Sequence, residues 1–193
     1  MKTFIIENNL TEKNNEETVW SFLPDSALCN AGKPFFIPEN SGVMEVFIAP
    51  VVKITRLGKS VAPRFATRYY SQAAAGLHFR DTTLRRQLLD KGLPPDIAQS
   101  FDRSLILGDF LPVNEIIGDK PLTLQINGIK VAEWCLDKMN TDIGSLFQKI
   151  STANTLKMGD YLIPGLSAGS KICIGDNLEL NLDDKILLSV QIK

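Results

Sequence analysis

The chain's single histidine, His78, lies in the stretch GLHFRDTTLRRQL (76–88), close to Asp81 and to Arg80, Arg85 and Arg86. Side chains of these types can move a proton, ligate a metal or hold an anion. Each role makes a demand on the rest of the sequence. A Ser-His-Asp or Cys-His apparatus would have to use His78, and no serine sits in a G-x-S-x-G turn. A hard-metal site needs converging carboxylates. The chain has 22 acidic residues, yet none pair as E-x-E or D-x-D, the spacing that places two ligands on one face of a strand. GLSAGS (165–170) is glycine-rich but lacks the Lys-Ser/Thr ending of a phosphate loop. The ordinary roles are a His78 ring satisfied by one hydrogen bond, arginines on the polar face of a helix, and a local Arg80–Asp81 ion pair. Residue chemistry by itself gives a mixed α/β domain with no enzymatic signature.

Bulk properties narrow the class. A chain of 193 residues suits one domain with a real core. Hydrophobic residues at 44% and charged residues at 22% are ordinary for a globular protein. A formal net charge of −1 creates no field that would favour nucleic acid or an anionic membrane. No apolar run approaches the about 18 residues that a membrane span requires. MKTFIIENNLTEKNNEE (1–17) has too short an apolar stretch for a signal peptide and no small-residue cleavage site. Cys29, Cys135 and Cys173 are scattered, odd in number and without C-x-x-C spacing. A reduced, cytoplasmic protein is expected.

Elements must position the reactive residues. Residues 7–17 read as a loop or weak helix. VMEVFIAPVVKI (43–54) reads as one or two strands, with Pro50 at an edge or bulge. RLGKSV (56–61) is a turn. Residues 63–79 start helix-like and run into a strand near 73–79. TTLRRQLLDKGLP (82–94) reads as a helix with Leu84, Leu88 and Leu89 on one face, stopped by Gly92 and Pro94. The second half alternates in strands at 104–112, 122–134, 160–165, 177–182 and 186–192, with a helix at 142–152. Asn127-Gly128 is a strong hairpin signal.

Several stretches, in order, resemble the fumarylacetoacetate hydrolase family, in particular its short single-domain bacterial members. They are PDSALCNAGKPFFIP (24–38), VVKITRLGKSV (51–61), RFATRYY (64–70), DKGLPPDIAQSFD (90–102), LTLQINGIKV (122–131) and LKMGDYLIPGLSAG (156–169). The resemblance implies an α+β, predominantly β fold: a mixed β-sandwich roll with short helices, usually a homodimer. It divides the chain into a polar N-terminal segment, 1–21, standing for a shortened lid, and a catalytic-fold domain, 22–193.

Family enzymes hydrolyse, decarboxylate or isomerise 2,4-diketo and related 2-oxo acids. A Mg²⁺ or Mn²⁺ ion chelates the substrate through a Glu-x-Glu pair and a later Asp. Counted without gaps from TRLGKSV, those ligand positions fall on Phe47, Ala49 and His78. The substrate-contacting arginine and glutamine fall on Thr82 and Arg85. The active-site lysine falls on Gln99 and the threonine of the Gly-Thr-Pro loop on Gly165. The general-base histidine has no counterpart. Scaffold residues such as Gly58, Gly92, Pro94, Phe101, Gly128, Gly159 and Asp160 match, while the polar ones have changed.

The resulting expectation is a family member that has lost its metal site and catalysis, binds no cofactor, and acts as a ligand-binding or partner protein. Its pocket would be Phe47, Ala49, His78, Arg80, Thr82, Arg85, Gln99 and Gly165. An inward Arg80 or Arg85 would take a small 2-oxo-acid-like anion. Nucleic acid and membrane are not expected partners. The alternative is an active metal-dependent hydrolase, isomerase or decarboxylase with a rebuilt Mg²⁺ or Mn²⁺ site. That site would use Glu45, His78 and Asp81, aligned by a two-residue bulge near Pro50. A third reading places Zn²⁺ or Ni²⁺ between His78 and Cys173.

Overall fold

β-Branched and aromatic residues build two sheets in the computed structural model, which describes residues 1–10 and 17–193. The expected N-terminal loop or weak helix falls largely on 11–16, outside the described residues. The strands are β1 (Thr3–Ile6), β2 (Trp20–Leu23), β3 (Leu28–Asn30), β4 (Met44–Ile48), β5 (Val51–Ile54), β6 (Tyr70–Asp81), β7 (Leu105–Pro112), β8 (Leu122–Ile126), β9 (Ile129–Trp134), β10 (Tyr161–Ile163), β11 (Ser170–Lys171), β12 (Asn177–Leu182) and β13 (Lys185–Gln191). The helices are α1 (Thr82–Asp90), α2 (Val113–Ile116) and α3 (Ile143–Ala153). A nine-stranded sheet runs β11-β4-β6-β5-β10-β1-β2, with β7 on the other edge of β6 and β3 beyond it. A four-stranded sheet runs β13-β12-β8-β9. The main core lies between them and includes Phe4, Val46, Phe79, Leu124, Trp134 and Leu180. This is the predominantly β, α+β architecture that the sequence implies.

The second-half strands and α3 fall close to where alternation and periodicity place them. Asn127 and Gly128 take φ of 53° and 80°, the left-handed pair that a two-residue hairpin requires. α1 ends as expected, but for a detailed reason. Gly92 has φ of 68°, its amide donates to Leu89 O at 2.9 Å, and the Leu93 amide donates to Leu88 O at 2.9 Å. That is a Schellman closure. The expected apolar face of α1 is corrected: none of its residues is buried, and Leu89 is 47% exposed. α1 lies on the surface because it rims a cleft.

The decisive element is β6. It pairs with β4 and β5 end to end along one edge. Glu45 faces Arg80, Ile48 faces Leu77, and Val51 faces Ala74 in one unbroken register. The bulge expected near Pro50 is absent; the register first shifts between Lys53 and Ile54. Gly76 allows this continuity, because a Cβ there would collide with the Ala49 carbonyl oxygen. Strand alternation then sorts the side chains. Met44, Val46, Ile48, Leu77 and Phe79 enter the main core. Glu45, Phe47, His78 and Arg80 share the opposite face.

Candidate active site

An open cleft of about 420 Å³ lies over that opposite face, lined by Glu7, Glu45, Phe47, Arg80, Thr82, Arg85, Arg86, Leu89 and Asp90. β1 delivers Glu7, the residue just past Ile6. Arg80 grips its carboxylate from both sides, Nη1 to Oε2 at 3.0 Å and Nη2 to Oε1 at 3.1 Å. Ser21 on β2 donates to Oε1 at 2.6 Å. Gln99, almost fully buried, reaches Ser21 Oγ at 3.3 Å and Glu7 Oε1 at 3.5 Å. Arg85 on α1 approaches Oε2 at 3.9 Å. The Arg80 guanidinium carbon also lies 5.3 Å from the Phe47 ring centre, within cation–π range.

The charges follow this geometry. Burial pushes the Glu7 carboxyl up, but the Arg80 charge and hydrogen bonds, helped by Ser21 and Arg85, hold it below the usual glutamate range. Burial lowers the Arg80 pKa, and Glu7 opposes that shift. Arginine remains charged throughout the accessible range. Arg80 Nε and Arg85 Nε are both buried and make no hydrogen bond among the described residues. Glu45 stands opposite Arg80 in the sheet, half-buried. No hydrogen bond or ion pair joins its carboxylate to another described residue. Its carboxyl lies against Gly169, where a Cβ would strike Oε2 and the Phe47 ring.

The expected pocket residues divide. Phe47, Arg80, Thr82 and Arg85 do line the cleft. Gln99 stands behind it, on Glu7 and Ser21. Ala49 is fully buried with Val51, Leu105 and Leu107 in a second apolar cluster. It is two residues too far along the strand to face the cleft. Gly165 packs against Leu10, and its carbonyl accepts from Trp134 Nε1 at 3.1 Å. His78 is 0% exposed. Its Nδ1 bonds the Ser104 carbonyl at 2.9 Å, so Nδ1 carries the proton, and Nε2 has no partner among the described residues. Burial, then the Arg80 charge, holds its pKa well below the ordinary value, against the pull of Ser104. His78 is therefore a neutral interior ring.

The rebuilt metal site does not assemble. Asp81 faces away, opposite Met44. Its oxygens cap α1 at Leu84 N, 2.8 Å, and bind Gly42 N at 2.7 Å. Cys173 is exposed while His78 is fully buried, so the softer pairing is not formed either. Among the described residues no group of three His, Cys, Asp or Glu is placed to hold a metal ion. Of the cleft's three carboxylates, Glu7 is held by Arg80 and Asp90 lies 3.9 Å from Arg86, which leaves Glu45 as the one without an arginine partner among the described residues. That donor set does not fit Mg²⁺ or Mn²⁺, which take several oxygens.

Glu7 and Ser21 carry this site, and the sequence reading missed both. The available signal was TFII (3–6), a β-branched and aromatic run that forms a wholly buried strand.

No protein-family model matches the chain. The oxaloacetate tautomerase YcgM of Escherichia coli is 31% identical over 175 residues, covering 87% of this chain and 78% of that protein. The oxaloacetate tautomerase fahd-1 of Caenorhabditis elegans is 29% identical over 173 residues, covering 88% of this chain and 78% of its own length. Among solved structures, a fumarylacetoacetate hydrolase family protein from Yersinia pestis superposes with a TM-score of 0.91 at 26% identity, covering 100% of this chain and 92% of that one. The fumarylpyruvate hydrolase of Pseudomonas aeruginosa, a complex with Mn²⁺ and pyruvate, superposes at 0.90 with 18% identity, covering 100% and 89%. These relatives overturn the expectation of a non-catalytic binding or partner protein. That expectation rested on missing metal ligands, whereas the curated relatives spanning most of the chain are tautomerases. The enzymatic alternative fits them better. By sequence and by fold alike, the chain belongs to the fumarylacetoacetate hydrolase family.

Proposed function

We propose that the chain is an enzyme that interconverts the keto and enol forms of a short 2-oxo acid, oxaloacetate or a close analogue, in the arginine-lined cleft. One observation carries the reading. Arg85, 31% exposed along its side chain and 3.9 Å from Glu7, lines the cleft with Arg80 and with Glu45, a carboxylate without a protein partner among the described residues. Two cations with free donors suit a carboxylate and an adjacent oxo group. A partnerless carboxylate suits proton transfer, because no ion pair must break first.

The substrate carboxylate pairs with Arg85, and its oxo group turns toward Arg80. Glu45 takes the proton from the carbon beside the carbonyl. The C–H electron pair forms the enol double bond, and the carbonyl pair moves onto oxygen. Fixed positive charge stabilises that oxygen as its charge develops. Glu45 then gives the proton to it. One C–H bond breaks, one O–H bond forms, and nothing is oxidised or reduced. Phe47 and Leu89 supply apolar walls to the cleft. A divalent ion of the kind named for the Pseudomonas neighbour would supply enolate stabilisation. The cleft lacks its donors, and no step here runs through one.

Homodimeric assembly and a cytoplasmic location are carried as part of this proposal, and sedimentation velocity tests the first. No helix among the described residues is long and apolar enough to cross a membrane. The function is tested by following the ultraviolet absorbance of freshly dissolved enol oxaloacetate. The protein should speed its decay, and Glu45→Gln should slow that catalysis by about 10²–10⁴-fold, the range for a lost acid–base group. No acceleration over buffer would overturn the reading.

A further inference from the structure

Resting on that reading, we infer that the cleft holds its oxo-acid on fixed guanidinium charge in place of a divalent ion, with Glu7 as the residue that fixes the charge. The metal-ligand positions and the arginines tell one story. Glu45 and Phe47 share a strand face at i and i+2, so a second carboxylate to complete a cation site would stand at Phe47. A ring occupies that place, and the ring supports Arg80 instead. Arg80 cannot swing freely. Each of its Nη atoms donates one N–H to Glu7, and Ser21 and Gln99 hold Glu7 from the far side. Arg85, whose Nη2 comes only within 3.9 Å of Glu7, keeps most of its five N–H donors unused among the described residues.

Charge pairing leads to the same conclusion. Glu7 neutralises Arg80, and Asp90 lies 3.9 Å from Arg86. Arg85 is left as the least satisfied cation, 3.9 Å from an already paired Glu7. An added dication would meet three guanidinium groups and three carboxylates, of which only Glu45 lacks an arginine partner among the described residues. An added oxo-carboxylate would meet the Arg85 guanidinium, the under-used and partly exposed cation of the cleft. Glu7 is a positioning residue here: it touches Arg80, not the ligand.

The test is calorimetric titration of the full chain with oxalate, first in excess EDTA and then in Mn²⁺. One-site binding should appear in EDTA and change less than about 2-fold with Mn²⁺. Arg85→Met should weaken it at least about 10-fold, the scale of a lost charged hydrogen bond. Arg85 lies on the surface helix and is 31% exposed along its side chain, so this variant leaves the Glu7–Arg80 pair standing. Arg85→Lys, which keeps the charge and loses the fork, should recover only part of the affinity. The electron paramagnetic resonance signal of free Mn²⁺ should persist when the protein is added. Oxalate heat that appears only with Mn²⁺, stoichiometric loss of the free Mn²⁺ signal, or Arg85→Met binding as tightly as wild type would each overturn the inference. Metal-free oxalate binding without ketonisation would remove the tautomerase reading and leave this one. Ketonisation with Mn²⁺-dependent oxalate binding would do the reverse.

Discussion

Arg80 and His78 stand two residues apart on one face of β6, and the fold treats them oppositely. Arg80 forms the wall of the cleft. It is almost fully buried yet charged, because Glu7 supplies two acceptors and Phe47 a ring face. His78 lies just behind that wall. It meets one carbonyl, Ser104 O, and nothing at Nε2 among the described residues. Burial and the neighbouring Arg80 charge keep it neutral. Burial therefore does not decide charge by itself. A buried ion persists where its partner can satisfy it and is discharged where no partner exists. Along the same strands, the Ala49–Val51 end contains no ions and is sealed.

The contrast can be broken at Arg80 first. Arg80→Met should cost about 3–5 kcal/mol of stability, because Glu7 would remain buried without its counter-charge. The double variant Glu7→Gln with Arg80→Met should recover much of that loss. Urea melts at neutral pH measure both. Equal melts for the single and double variants would show that the pair is not coupled.

His78 sets the next effect. Its folded pKa is depressed, so its contribution is complete above the unfolded value near 6.5. The contribution is lost as pH falls below that value, when the unfolded chain takes up a proton that the native ring refuses. The slope is at most about 1.4 kcal/mol per pH unit. Glu7 is also depressed, so its contribution is lost only at more acid pH, below the ordinary glutamate range. His78→Asn should flatten the stability curve between pH 6.5 and the acid limit without moving the Glu7 window. An unchanged slope would mean that the ring is protonated inside. The smallest effect is expected at Phe47. Phe47→Leu should weaken the Arg80 stack by about 0.5–1 kcal/mol, read as a few-fold loss of oxalate affinity.

The sequence exposed the frame more fully than the site. Asn127-Gly128, Gly92 and the alternation over 177–182 state local rules, and the local rules won. The cleft depends on register, which sequence spacing does not print. Counting without gaps put Ala49 in the pocket, yet the unbroken pairing of Glu45 with Arg80 and Val51 with Ala74 puts Glu45 there. A two-residue slip keeps the same strand face but moves along it by two rises, from the cleft into a sealed cluster. Asp81 was offered as a ligand, and its position before α1 fits a helix cap just as well. Glu7 was hidden for another reason. Its partners Arg80 and Gln99 are distant in sequence, and TFII is too short to stand out from an otherwise polar N-terminus.

The most direct measurement is the rate of enol oxaloacetate ketonisation by wild type and Glu45→Gln, with unchanged melting of the variant as the control for folding. Catalysis by the wild type and a loss of about 10²-fold or more in the variant is the predicted result. A wild type no faster than buffer, or a variant as fast as wild type, would contradict the assignment of this cleft as the active site.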